Sequence, residues 1–346
     1  MLAAVVKGVN QINLENVLEP QIKDPMDVVL RVTATAICTS DVHIVEGYFP
    51  PSPPYVIGHE FIGIIEEAGT GVTAFKKGDR VAVPPAPYCG KCSNCRNGLF
   101  GQCQNSAIFG SGCTWGNLPG GLAEYVRVPY ADNSLTAIPE EISDEQAILI
   151  GDMLTTGYYA VENCVLSPGD TVAVFGAGPV GLCAVHTARL FSPARIILVD
   201  LLPNRLEIGK KMGATDIINS AWENAVDIIM EITNGIGVSA AIEAIGNPAT
   251  VNDASQVVRV GGILSIVGLF PGPIEFPIHN LLMKNVAVKM GLANLGNIHR
   301  LINLVSYGKL DTSPLITHRM PFKDFEKAYE IFAGKKENVI KILLQP

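Results

Sequence analysis

At 346 residues the chain is about twice the usual single-domain length, so two domains are the expectation. Apolar residues make up 48% and charged ones 17%, enough for a buried core and too few charges for disorder. With 25 basic and 33 acidic residues the net charge is −8, which argues against a nucleic-acid or acidic-lipid partner. Mean hydropathy is +0.30, yet the most apolar stretch, VAVFGAGPVGLCAV at 172–185, is broken by glycine and proline. It falls short of the roughly 20 residues that cross a bilayer. The start, MLAAVVKGVNQINLE, lacks the basic region of a signal peptide, so the expected location is the cytoplasm, away from membranes.

Residues 1–150 carry short β-branched runs punctuated by glycine and proline: VVLRVTATAI (28–37), FIGIIEEAG (61–69), DRVAV (79–83) and LAEYVRV (122–128). They predict an irregular, mostly antiparallel, barrel-like β domain. Cys38-Thr39-Ser40-Asp41-Val42-His43 follows the first run, and Gly58-His59-Glu60 opens the second after a proline-rich loop. Cys38 and His59 are ligands of the kind zinc takes, and Asp152, in Gly151-Asp152-Met153, offers a carboxylate. One thiolate, one imidazole and one carboxylate balance Zn²⁺ and leave a fourth position for substrate. Taken singly each has a plainer role: a core thiol, a loop histidine, a helix N-cap. Ser40, two residues past Cys38, faces the same side of an extended segment. This suggests a relay: a proton from the bound substrate passes to Ser40, through a bridging hydroxyl to His43 near the rim, and then to water.

Four of the eight cysteines crowd into Cys89-Gly-Lys-Cys92-Ser-Asn-Cys95-Arg-Asn-Gly-Leu-Phe-Gly-Gln-Cys103. This spacing lets one tight loop present three thiolates while the fourth closes a tetrahedron, so the expectation is structural zinc with no open position. An iron–sulfur cluster or four unrelated thiols are the weaker readings.

From about residue 152 strands and helices alternate. TVAVF (171–175), ARIILVD (194–200), TDIIN (215–219), VSAAIEAIG (238–246) and GILSIVGLF (262–270) read as strands. LCAVHTARLF (182–191), PNRLEIGKKMG (203–213) and NDASQVVRVG (252–261) read as helices. The pattern predicts a doubly wound parallel sheet, an α/β half beside the β half. Gly176-Ala-Gly178-Pro179-Val180-Gly181 joins a strand to a helix in the manner of a dinucleotide loop. Asp200, closing the next strand, can hold both adenosine ribose hydroxyls and repel a 2′-phosphate. With Arg205 as the nearest cation, NAD is expected over NADP. Helices over 298–310 and 322–336 and a strand VIKILL (339–344) return to the first domain.

Together CTSDVH, GHEFIG, GDRV, CGKCSNCRNG, GAGPVG, IILVD, GGILSIVG and SPLITHRMPF resemble the zinc-dependent medium-chain alcohol dehydrogenases over essentially the whole chain. The resemblance implies a GroES-like catalytic domain from residues 1–151 and 295–346 around a Rossmann NAD-binding domain at 152–294. It implies catalytic zinc on Cys38, His59 and Asp152, with Glu60 able to approach the metal and Asp41 orienting His59. A structural zinc would sit on Cys89, Cys92, Cys95 and Cys103, and Val267 would join the cofactor contacts. Aspartate replaces the third-ligand cysteine of many members, as in bacterial secondary-alcohol dehydrogenases. Those often prefer NADP and lack the four-cysteine lobe, and Asp200 and the cysteine cluster break that match. Thr39 stands where many relatives have Arg or His near the cofactor phosphate.

The implied function is reversible, NAD-dependent oxidation of a small primary or secondary alcohol, with two zinc ions per subunit. L-Threonine, polyols or diols, and formaldehyde are the alternative substrates. A non-catalytic NAD-binding protein is the alternative of another class, opposed by the intact Cys38, Ser40, His43, His59 and Asp152. Pocket candidates are Pro85, Trp115, Leu118, Leu269 and Ala293. A homotetramer or homodimer would form through GGILSIVGLF at a sheet edge.

Overall fold

The computed structural model describes residues 1–48 and 54–346, so part of the proline-rich loop, 49–53, lies outside the described residues. The chain divides into two compact units, Met1–Thr155 with Asn294–Pro346, and Thr156–Ala293.

In the first unit, β-branched alternation builds β1 (Val28–Ala36), followed by α1 (Thr39–Val45), β2 (Glu60–Ala68), β3 (Arg80–Ala82) and β4 (Tyr125–Val128). β1 and β2 are antiparallel, with Ala36 opposite Glu60. Cys38 and His59 therefore leave the sheet at the same end. The segment after Cys38 is helical where the sequence suggested an extended one. Cys38 keeps extended backbone as the N-cap, and α1 begins at Thr39. A carboxylate three residues on, Asp41, captures the Cys38 N–H and starts the helix there. Ser40 thus comes near the site on the first turn of a helix. Phe61, Phe109 and Leu118 pack inside this β layer, so Leu118 is a core residue.

The second unit runs β5 (Thr171–Phe175), α2 (Pro179–Ala188), β6 (Arg195–Asp200), α3 (Pro203–Met212), β7 (Asp216–Asn219), α4 (Ala225–Ile232), β8 (Val238–Glu243), α5 (Pro248–Val257), β9 (Val258–Ile266) and β10 (Ala287–Met290). The strands lie in the order β7-β6-β5-β8-β9-β10, all parallel. The order reverses between β5 and β8, the place where such sheets bind ligands. α5 and β9 each begin about four residues earlier than the sequence suggested, because Asn247 caps the helix with Pro248 in its first turn. β9 is also an inner strand: β10 covers its far side, and the sheet edges are β7 and β10.

The chain returns to the first unit through α6 (Ile298–Ser306), β11 (Ile316–Pro321), α7 (Phe325–Ala333) and β12 (Lys341–Gln345). β12 runs antiparallel to β1 with Leu343 opposite Ala36, which brings Lys341 level with Cys38. Phe325, Phe332 and Ile342 close this side over Ile37 and Val42. Among the described residues no helix is long and apolar enough to cross a membrane.

Candidate active site

Ligand atoms of Cys38, His59, Glu60 and Asp152 all lie within 4.8 Å of one another. One carboxylate sets two of them. Asp41 Oδ2 accepts the Cys38 N–H at 2.8 Å, and its Oδ1 accepts from His59 Nδ1 at 3.1 Å. With Nδ1 committed, Nε2 is the nitrogen that could ligate a metal. It lies 3.3 Å from Asp152 Oδ2 and 3.3 Å from Ser40 Oγ. Burial works to lower the His59 pKa, but Asp41, Cys38 and Asp152 lift it well above its ordinary value. Burial pushes the Cys38 thiol up, against the pull of Lys341.

Asp152 sits in a π-helical turn, Ile150–Leu154, closed by the Leu154 N–H donating to Leu149 O at 2.8 Å. Such turns re-aim side chains and cluster at functional sites. The turn can press against the chain after β3 because residue 151 is glycine: a Cβ there would lie 2.3 Å from Val83 O.

Glu60 is held differently. Both its oxygens accept from Lys341 Nζ, at 2.5 and 2.6 Å, and the ammonium also donates to Ile37 O at 3.0 Å. Lys341 escaped the sequence reading. The available signal was a single charge inside the apolar run Val339-Ile340-Lys341-Ile342-Leu343-Leu344. His43 lies one turn beyond Ser40 on the same face of α1, half-buried, its ring 5.0 Å from that of Tyr48.

The second cluster is Cys89, Cys92, Cys95 and Cys103, again within 4.8 Å. The Cys95 N–H approaches Cys92 Sγ at 3.5 Å and the Cys89 N–H approaches Cys103 Sγ at 3.3 Å. Burial works to raise the Cys89 thiol, but Asn105 and backbone donors outweigh it and bring it down to about 6. Burial and the neighbouring thiols push Cys95 up to about 12. Four sulfurs with no other ligand type suit a closed tetrahedral ion.

In the second unit Gly176 has φ +103, and a Cβ on Gly181 would stand 1.7 Å from Gly176 O, so loop and helix meet only through glycine. Among the described residues, a Cβ on Gly178 would meet nothing within 4 Å. No protein atom demands glycine there, and the open ground at the N-terminus of α2, beside Pro179 and Val180, fits a phosphate group. Asp200 ends β6, its Oδ2 accepting the Ala177 N–H at 2.6 Å and its Oδ1 the Leu202 N–H at 2.9 Å. Arg205 is near enough to feel that charge, and its buried Nε has no hydrogen-bond partner among the described residues. The Val267 N–H donates to Glu243 O at 2.9 Å.

Residues 24–140 match the family described as the alcohol dehydrogenase GroES-like domain, and residues 179–306 match the zinc-binding dehydrogenase family. The chain is 37% identical to an uncharacterised zinc-type alcohol dehydrogenase-like protein of Bacillus subtilis, with both chains covered in full. It is also 37% identical to an alcohol dehydrogenase of Cupriavidus necator, over all of this chain and 99% of that one. Among solved structures, the alcohol dehydrogenase TADH of Thermus sp. ATN1 superposes with a TM-score of 0.95 at 36% identity, over 100% of this chain and 99% of that one.

Proposed function

Because the chain belongs to the zinc-dependent medium-chain alcohol dehydrogenases, an oxidoreductase family, we propose that it interconverts a small primary or secondary alcohol and its carbonyl compound with NAD. The observation that carries this reading is the convergence of Cys38, His59 and Asp152 around a histidine nitrogen that Asp41 orients. Lys341 engages both Glu60 oxygens, which supports Asp152 as the third ligand with Glu60 behind it. Cys38, His59 and Asp152 would hold zinc, which would supply Lewis acidity toward the alcohol oxygen, and Gly176–Gly181 with Asp200 would hold NAD, which would supply the hydride acceptor.

The remaining work falls to the chain. The Ser40 hydroxyl, beside His59 Nε2, takes the alcohol proton at Oγ as it releases its own toward His43. His43, one turn along α1, receives it at the imidazole and passes it to solvent. Cys89, Cys92, Cys95 and Cys103 would hold the second zinc, which would fix their lobe. Both thiolate sites require a reducing compartment, which fits a cytoplasmic location. The exposed edge strand β10 and the exposed Ile278, Leu282, Met283 and Met290 support a homotetramer or homodimer formed at that edge. Light scattering that gives only monomer would remove this assembly.

A panel of primary and secondary alcohols, diols and threonine, scored by the appearance of NADH, tests the reaction. At least one small alcohol should be oxidised, with activity lost on chelation and regained with zinc. No NADH from any member with zinc-replete protein would overturn the assignment.

A further inference from the structure

We propose that Glu243 is a positioning residue that sets the nicotinamide half of the cofactor site; this rests on the reading that NAD is the cofactor. In sheets of this strand order the two halves bind one mononucleotide each. β5, β6 and β7, with Asp200, form the adenosine half, and β8, β9 and β10 the other. Glu243 is the last residue of β8 and is fully buried. Its Oε1 accepts the N–H groups of Ile245 and Gly246 at 3.0 and 2.9 Å and the Thr250 hydroxyl at 2.8 Å. Its Oε2 accepts the Gly246 N–H at 3.1 Å. Its backbone carbonyl accepts from Val267 and Gly268, at 2.9 and 3.1 Å. One residue therefore fixes both loops that leave the second half of the sheet.

The fit leaves no slack. A Cβ on Gly268 would lie 2.1 Å from Gly246 N and 2.3 Å from Glu243 Oε2. A Cβ on Gly176, in the phosphate loop, would strike the Ile245 side chain at 2.5 Å. The loops after β5, β8 and β9 thus interlock around this carboxylate, where the strand order reverses. Among the described residues, every hydrogen bond the carboxylate accepts comes from a neutral donor. Burying a charge without a cation is costly, and a cap on α5 alone would not need it, since Asn247 already caps that helix. The hydrogen bonds that the carboxylate accepts offset that cost, and together with its backbone carbonyl they hold Gly246 at φ +83 and the backbone of 267–268 in one arrangement.

The test is titration of zinc-loaded wild type, Glu243→Gln and Thr250→Val with NADH and, separately, AMP, alongside zinc content and melting temperature. Glu243→Gln should weaken NADH about tenfold and Thr250→Val about threefold, with AMP affinity and zinc content unchanged. A general loss of fold would weaken both ligands together, so equal weakening overturns the proposal, as does unchanged NADH affinity. If Glu243→Gln does not fold, Thr250→Val decides by the same comparison. Wild-type protein that binds AMP but not NADH would overturn the cofactor reading and this proposal with it.

Discussion

The ammonium of Lys341 meets both carboxylate oxygens of Glu60, at 2.5 and 2.6 Å, with both side chains sealed from solvent. The third N–H goes to Ile37 O, so every donor is used. Burial works to lower the Lys341 pKa and the Glu60 carboxylate more than offsets it, which keeps the ammonium charged. The last strand thereby ties the residue before Cys38 to the residue after His59.

Removing one member of this pair leaves a buried charge alone. Lys341→Met should destabilise the protein by about 3–5 kcal/mol in denaturant unfolding, and adding Glu60→Gln should recover part of that loss. A single variant as stable as wild type would show that the pair does not hold the two strands.

The two metal clusters come from separate segments and should fail separately. Cys38→Ser should abolish turnover and lower the zinc content from about two ions to about one, with the fold intact. Cys95→Ser should open residues 85–110 to protease. Activity in Cys38→Ser, or unchanged proteolysis of Cys95→Ser, would remove the corresponding role.

Burial holds the His43 pKa below its ordinary value, against the pull of Glu46, so the ring is neutral near pH 7 and able to accept a proton. His43→Gln should lower kcat/KM about tenfold near pH 7, with the gap closing near pH 10, where hydroxide takes the proton directly. The sign for stability follows from the same shift. Below about pH 6.5 the unfolded chain binds the proton first, so wild type loses stability in acid through this residue. The variant should show a flatter acid limb in melting experiments.

Asp200 should decide between cofactors. Repulsion of a 2′-phosphate at about 4 Å is several kcal/mol at an effective dielectric near 20, and about 1.4–3 kcal/mol after screening. That is roughly a ten- to hundredfold preference for NAD⁺ over NADP⁺ in kcat/KM. Asp200→Gly should narrow or reverse it, helped by the unpartnered Nε of Arg205. Equal use of both cofactors by wild type would assign the choice elsewhere.

Much of this was legible because the chemistry is local in sequence. Cys89 to Cys103 fall in one loop, Gly176 to Gly181 in one turn, and TVAVF at 171–175 is the observed β5 to the residue. Helix α4 has no counterpart among the predicted elements; its start signal is the single residue Asn224, whose side chain accepts the N–H groups of Val226 and Asp227. The turn at Ser40 was misread because its cause, Asp41 bonding the N–H of Cys38, is a side-chain contact that an alternation pattern does not encode. Lys341 was invisible for a different reason: its partner is 281 residues away, and only the register of β12 on β1 joins them.

That register carries a consequence for biogenesis. The second unit is continuous in sequence and emerges whole from the ribosome before β11 and β12 exist. It can therefore fold first, while the β layer of the first unit waits with β1 still open along the side that β12 will cover. Until residue 341 is made, Glu60 has no cation and Cys38 no closing strand. A nascent chain stalled before β12 should hold a compact, protease-resistant 156–293 segment while the Cys38–His59 site remains unformed.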